Sequence, residues 1–386
     1  MLQLLIIQGT FVYVLGGSSE YMYKVDVASG QVVDSLFVGA NGDVPNFIYM
    51  PSRTVNSGDV GYLINSGGFY GVPSIVELDL YGMGILSEYV LNDSLNPMQG
   101  EVVADTFYFT NYGKSGNGSA VYLFNNGSIA DSIEVGIKPI GIDYCFGSLF
   151  VASKSGYLYR INPADRSKDS LLLDPTISNV GCDDQYIYVL ATGVYGNDDA
   201  RIYRVNPTTF TSDGSTDQFQ NSYTLAVGDS KVYAATFGGL LYIIDKATAQ
   251  MDSLDLGYYG VGGLDFYDGN LYISAGAWSG SENRVLVYNE SSGSITGDYV
   301  VSSSDVGLGF LIAFDMTVGI SEDSHRAPFT YRNGILYMDE PARVSIFDVK
   351  GRRLFSGVAE RVDLRRFDSP IIFVRTIYGT YKVVKY

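Results

Sequence analysis

One short pattern recurs seven times along this 386-residue chain: an aromatic or aliphatic residue, two further residues, then Asp or Asn at a turn. It pairs Tyr23 with Asp26, Val76 with Asp79, Tyr122 with Asn125, Tyr159 with Asn162, Tyr203 with Asn206, Tyr242 with Asp245 and Leu286 with Asn289. The steps between turn residues are 53, 46, 37, 44, 39 and 44. A strand-and-turn unit of about 40–45 residues cannot bury its apolar face alone and must stack on its neighbours, which is how propeller blades are built. The expected fold is therefore all-β: a seven-bladed β-propeller over residues 1–320, a linker at 321–328, and a small C-terminal antiparallel β-sandwich over 329–386.

Each repeat follows one grammar. An inner strand comes first, at 46–50, 99–104, 140–144, 178–182, 223–227, 262–266 and 309–314. These runs are apolar with small residues, as strands buried on both faces require. A second strand, the motif strand and a closing strand follow, separated by turns such as Ser29-Gly30, Asn126-Gly127, Asp268-Gly269 and Ser292-Gly293. With 32 Tyr, 20 Phe and 46% apolar residues the chain has ample material for half-buried pleated surfaces. One strand is surplus. If 309–314 returns to close the first blade, the apolar segment with Leu2, Leu4, Leu5, Ile6 and Ile7 has no place in the ring. It either pairs locally on that blade, with 309–314 packed elsewhere, or it is a free strand seeking a partner edge.

The formal charge of −17 excludes nucleic acid as a partner, because that needs a basic footprint. The charge is uneven: residues 1–325 carry 13 basic and 36 acidic side chains (−23), and residues 326–386 carry 12 and 6 (+6). The reversal marks a domain boundary. No apolar run reaches the roughly 18–20 residues that span a bilayer. The apolar N-terminus lacks a basic flank and a cleavage site, so an export signal either lies outside this numbering or the protein stays inside. Cys145 and Cys182 fall in equivalent regions of successive repeats but one position out of phase, which turns them to opposite faces, so two small buried hydrophobes are expected. Sequons at Asn92, Asn117, Asn126 and Asn289 are near chance in so polar a chain.

Residues 8 to about 315 resemble the β-propellers of YVTN-type repeats, on Phe11-Val-Tyr-Val, Tyr23-Lys-Val-Asp and the Ser29-Gly30 turn. That resemblance implies fold, since such propellers serve as enzymes, binding platforms and surface proteins. The tail resembles the C-terminal sorting domain of proteins exported by the type IX secretion system. The matching residues are Val344-Ser-Ile-Phe-Asp-Val-Lys-Gly-Arg352, Val362-Asp-Leu364, 371–375 and Thr380-Tyr-Lys-Val-Val-Lys385. It departs from that family at Ser369-Pro370, where a Gly normally precedes the strand. The competing reading of the tail is an eighth blade.

Chemistry-bearing side chains are scarce. His325 is the only histidine and sits in the linker, which removes His-based zinc clusters and makes Ser-His-Asp or Cys-His catalysis a poor fit. No nucleophile elbow, Walker loop or dinucleotide turn stands in a supporting context. Lactonase-like or quinoprotein-like activity rests on fold analogy alone. Asp143 and Asp265 fall at the same inner-strand position of the fourth and seventh repeats, where a carboxylate either holds a hard cation in the channel or braces neighbouring strands. Asp184, Asp229 and Asp268 are expected as turn residues, Asn197-Asp198-Asp199 as a polar loop, and Trp278 as an exposed contact aromatic.

The expected function is a non-enzymatic extracellular or cell-surface propeller, a structural or adhesive subunit without a cofactor. It would self-assemble, even into a filament, through Leu2, Leu4, Leu5, Ile6 and Ile7 and the basic tail with Arg352, Arg353, Arg365 and Arg366. Other partners would be a surface polysaccharide or another surface protein. The alternative is a secreted propeller that binds or hydrolyses a saccharide or lactone at the channel mouth.

Overall fold

The computed structural model describes residues 7–16, 21–38, 47–49, 60–66, 71–80, 82–104, 106–257, 260–276, 282–302, 308–318, 329–332, 334–348, 353–367, 371–376 and 379–384. Leu2, Leu4, Leu5, Ile6, Trp278, His325 and Arg352 lie outside them. The chain divides into two compact units, Thr10–Phe314 and a second made of Asp315–Tyr386 with Met1–Gly9.

Seven four-stranded antiparallel sheets carry the seven repeats. In chain order of their strands, the second sheet holds Phe47–Tyr49, Val60–Asn65, Ser74–Asp79 and Gly84–Val90; the third holds Pro97–Val103, Thr106–Asn111, Ala120–Asn125 and Ser128–Glu134. The fourth holds Pro139–Cys145, Ser148–Ser153, Tyr157–Ile161 and Lys168–Leu172; the fifth Ile177–Cys182, Ile187–Ala191, Arg201–Asn206 and Thr211–Ser215. The sixth holds Thr224–Val227, Lys231–Ala235, Leu240–Asp245 and Met251–Asp255; the seventh Val261–Tyr267, Asn270–Ala275, Asn283–Asn289 and Ser294–Ser302. The first sheet is composite. Its inner strand is Leu308–Val318, laid beside Ile7–Gly16, Tyr21–Asp26 and Gln31–Phe37. The C-terminal strand of the repeats thus closes the first sheet, and the reading that packs 309–314 elsewhere is corrected. Hydrogen-bonding an end strand onto the first sheet removes two open edges at once.

Burial is greatest in the second strands and falls off outward, which corrects the expectation that the inner strands are buried on both faces: Ile177–Cys182 and Thr224–Val227 are mostly half-buried. Every residue of Ile187–Ala191 is buried, because neighbouring sheets cover both faces there, whereas every residue of Thr211–Ser215 is exposed. The outer strands are accordingly polar, as in Ser128–Glu134. In five sheets the pairing of the third and fourth strands is broken by a bulge just before the turn, as at Lys24/Val25 and Arg204/Val205. Bulges there twist an exposed edge away from intermolecular pairing.

The motif Asp or Asn has a local task. Its side chain accepts the N–H two residues on, at 3.1 Å for Asp26, 2.9 Å for Asn162 and Asn206, and 3.0 Å for Asp245. Its carbonyl accepts from the fourth residue on, a contact of 2.8 Å from Gly30, Arg166 and Ala249, 2.9 Å from Phe210 and 3.0 Å from Gly293. That fourth residue is left-handed in all five turns, with φ from 53° to 67°. Between sheets, buried tyrosines of the second strands reach polar groups just past a motif turn: Tyr13 donates to the Leu80 carbonyl at 2.5 Å and Tyr233 to Glu290 at 2.8 Å.

The tail holds one five-stranded antiparallel sheet and no strand of the repeats. Its long strand Ile335–Asp348 pairs with Phe329–Arg332, Arg353–Asp363 and Ile371–Thr376, and the last of these pairs with Gly379–Val384. The register breaks between Tyr337 and Ala342, where Pro341 has no N–H to give. Leu336, Met338, Val344, Ile346, Val362, Leu364, Ile372 and Val374 share one buried cluster across both arms of the bent strand.

Candidate functional site: the channel wall and its two ends

The inner strands set the site. Asp143 pairs across its sheet with Phe150, and Asp265 pairs with Tyr272, so the two aspartates occupy one equivalent position. Both are half-buried. Asp143 Oδ1 accepts the Tyr144 N–H at 2.9 Å, and its Oδ2 lies 3.1 Å from Cys182 Sγ. Among the described residues Asp143 lies within reach of Cys145 and Cys182, whose sulfurs are bonded to each other and supply no thiolate to a metal, and Asp265 is not part of this group.

Cys145 and Cys182 form a disulfide, with Cα atoms 6.6 Å apart, which corrects the expectation of two separate buried hydrophobes. The phase difference is real: Cys145 pairs with Ser148, whereas Cys182 pairs with Ile187, whose counterpart in the fourth sheet is Leu149. Within one sheet, opposite faces keep two sulfurs apart. In a stack of sheets it is opposite faces of neighbours that meet, so being out of phase is what lets adjacent sheets bridge.

Above the disulfide the wall is spanned by amides. Gln99 of the third sheet donates to Asn179 Oδ1 of the fifth at 2.7 Å, reaching past the fourth sheet altogether. Asn179 Nδ2 passes the chain on to the Tyr223 carbonyl of the sixth at 2.7 Å, and Gln99 Oε1 accepts the Ile142 N–H at 3.3 Å. Gly141 makes room for this. A side chain there would come within 2.7 Å of the Ser178 carbonyl and the Asn179 Cα.

The two ends of the channel differ. At the turn end, Lys246 bonds Asp183 at 2.7 Å and the Gly228 carbonyl, tying the sixth sheet to the fifth. Burial alone would raise the Asp183 carboxyl; Lys246 and the N–H groups of Tyr186 and Gln185 outweigh it and hold it below the usual range. The turn carboxylate that bonds backbone is therefore Asp183, next to the Asp184 expected in that role. At the other end stand Lys138 and Lys154 of the fourth sheet, the Lys138 ammonium 5.7 Å from the centre of the Tyr112 ring. The rings of Tyr223 and Phe237 lie 4.0 Å apart there, and Tyr195 is 84% exposed. Asp199 of the polar loop braces its own turn, accepting the Val194 N–H at 2.8 Å. The disulfide, the amide chain and the lysine pair had no signal in the sequence beyond Gly141 and the two matched cysteines.

Of the assembly residues, Ile7 heads a strand and Arg353 begins another. Arg365 is engaged by Asp363, at 2.8 Å through Nε and 2.5 Å through Nη2. Arg366 lies over the Phe355 and Phe367 rings at 5.0 and 4.8 Å.

Four-stranded sheets repeated around a closing strand define the class, a β-propeller. No protein-family model matches the chain, and no curated protein does. Solved structures share the fold. Apo AztD from Citrobacter koseri is 13% identical with a TM-score of 0.52, covering 80% of this chain and 99% of its own. A functionally unknown protein from Desulfotomaculum acetoxidans is 13% identical at 0.55, over 78% and 98%. A computationally designed protein is 13% identical at 0.50, over 90% and 98%. At such identity the likeness is one of fold.

Proposed function

We propose that this chain is a non-enzymatic extracellular or cell-surface β-propeller acting as a structural or adhesive subunit. The observation that carries the reading is the Cys145–Cys182 disulfide between adjacent sheets, since such bonds persist in oxidising compartments outside the cytoplasm. The tail's resemblance to a type IX sorting domain supports export. The Gln99–Asn179–Tyr223 chain, which occupies the channel wall where a propeller would otherwise present a catalytic pocket, supports a binding rather than a catalytic role. Fractionation of the native cells with thiol labelling before and after reduction tests it. Surface-exposed protein whose two cysteines label only after reduction is expected; cytoplasmic protein with free thiols overturns the reading.

Self-association is part of the proposal. A segment at −23 and one at +6 steer a head-to-tail encounter between copies, and the apolar residues 2–6 supply a strand to hold it. Arg366 is better placed to contribute than Arg365, whose charge Asp363 already neutralises. Deleting residues 1–6, which leaves the strand from Ile7 intact, should give a folded monomer by light scattering. A truncated chain that assembles like the full one removes this part of the reading.

A further inference from the structure

We infer that the end of the channel bearing Lys138 and Lys154 is a binding site for an acidic sugar residue of a heteropolysaccharide, its carboxylate or sulfate held by the two ammonium groups and its ring faces by nearby aromatic side chains. The inference deepens the adhesive reading above by naming a ligand for it.

The pair is a departure built on a repeated frame. The residue that follows the second strand of a sheet donates its N–H to the residue that precedes the first, at 2.9 Å for Tyr112 and Asn96, 3.1 Å for Thr192 and Thr176, and 3.1 Å for Gly276 and Gly260. In the fourth sheet the same bond, 3.1 Å long, joins Lys154 to Lys138. The other three pairs carry no charge, and here two like charges are held side by side by the backbone. Lys138 adopts a left-handed backbone with φ 57°, and Gly116, where a Cβ would come within 2.8 Å of the Lys138 side chain, leaves it room to pass over the preceding loop.

Among the described residues neither ammonium has a carboxylate partner, in a segment with 36 acidic side chains to 13 basic; Arg160, Arg166, Lys231, Lys246 and Arg284 of the same unit each have one, and Lys114 and Lys168 bond backbone carbonyls instead. Burial first, and then the charge of Lys138, hold Lys154 below the usual lysine range. A fold that sets two cations together without a counter-charge keeps a repulsion that a bound anion relieves. The surrounding charge limits which anion. A surface at −23 repels a dense polyanion such as nucleic acid, while an isolated acidic group on an otherwise neutral glycan meets the two lysines alone. Aromatic side chains stand at the same strand ends: the Tyr112 ring lies 5.7 Å from the Lys138 ammonium, and Phe237 of the sixth sheet, packed on Tyr223 with ring centres 4.0 Å apart, is 45% exposed and offers its open side to sugar C–H groups.

The test is calorimetry on the full chain with tetrasaccharides that carry one glucuronate or one sulfate ester, the glucuronate methyl ester as neutral control, and sodium sulfate as the free anion. The acidic tetrasaccharides should bind at least about tenfold tighter than the ester, and the double variant Lys138→Gln/Lys154→Gln should lose that difference. Lys168→Gln, at an exposed site on an outer strand, should bind like the wild type. Phe237→Ala should weaken the tetrasaccharides while leaving competition by sulfate unchanged. Thermal midpoints of all variants identify any that misfold, and for such a variant the ester comparison on the wild type decides. Equal binding of acid and ester, full binding by the double variant, or no binding by the wild type overturns the inference. Surface-located protein that binds none of these probes defeats this inference and leaves the surface reading standing; binding by a protein found in the cytoplasm does the reverse.

Discussion

Lys24 carries a charge into the propeller's core. It is 7% exposed, with its ammonium 4.5 Å from the centre of the Phe11 ring and 5.5 Å from that of Tyr13. Burial lowers its pKa to about 8, with Asp34 opposing. The folded value lies below the unfolded one, so between about pH 8 and pH 10.5 unfolding takes up a proton and stability rises with pH across that window. Lys24→Met should abolish this rise and stabilise the protein at pH 7 by an amount of order 2–3 kcal/mol, less what the cation–ring contacts return. Denaturant midpoints of both proteins at pH 7.5 and pH 10 check it; parallel shifts in the two would rule Lys24 out. Buried tyrosines act in the opposite sense at higher pH. Burial first and then Glu290 push Tyr233 upward, so above about pH 10 the folded state keeps a proton that the unfolded chain releases, and stability falls. Tyr233→Phe should cost about 1 kcal/mol, but Glu290→Ala about 1–3, because it strands the buried hydroxyl.

The turn after each motif strand is the element on which the repeats depend, and three of its five left-handed positions lack glycine. Arg166, Phe210 and Ala249 hold φ values of 61°, 53° and 58° that an L side chain enters at a cost. Ala249→Gly should stabilise by about 0.5–1 kcal/mol after the entropy of the unfolded glycine is counted. An unchanged or lower thermal midpoint would show the strain to be absent. The bridge between the fourth and fifth sheets works over a longer range. Its cysteines are 37 residues apart, a loop whose closure corresponds to about 3–4 kcal/mol of restricted unfolded chain. Replacing both by Ser should lower the midpoint of the Thr10–Phe314 unit accordingly, and a midpoint unchanged by reduction would contradict that role.

For the molecule as a whole, closure rests on one strand brought back from the end of the repeats. Leu308–Val318 is the inner strand of the first sheet, so a chain ended at Ser302 leaves that sheet with an open edge while keeping six sheets complete. A chain ended at residue 328 keeps the closure and drops only the tail sheet. The first should unfold at a clearly lower temperature than the second and associate through its open edge. Equal midpoints for the two would mean that closure contributes little. The tail's sheet has its own buried cluster and, among the described residues, pairs with no strand of the repeats, so its strands should survive expression apart from the propeller.

Period, strand order and turn chemistry were all readable from residues a few positions apart. Asp26, Asn162 and Asp245 bond their own turns two and four residues on, whereas the burial expected of the apolar inner strands falls instead on second strands such as Ile187–Ala191, because packing between sheets decides it. Counting strands left two candidates for the first sheet's inner strand, and only the structure places Leu308–Val318 there. The site was not readable in this way. Cys145 meets Cys182 and Gln99 meets Asn179, 80 residues on, because of which sheet faces and channel walls the stacking brings together. A one-residue phase difference, a sign of separation within a single sheet, is the condition for contact between two. Lys138 and Lys154 each look like an ordinary solvated charge in the chain, and only the backbone bond between them makes a cation pair. Local hydrogen bonding and burial fix the repeats; the geometry of packing one repeat on the next decides which side chains meet.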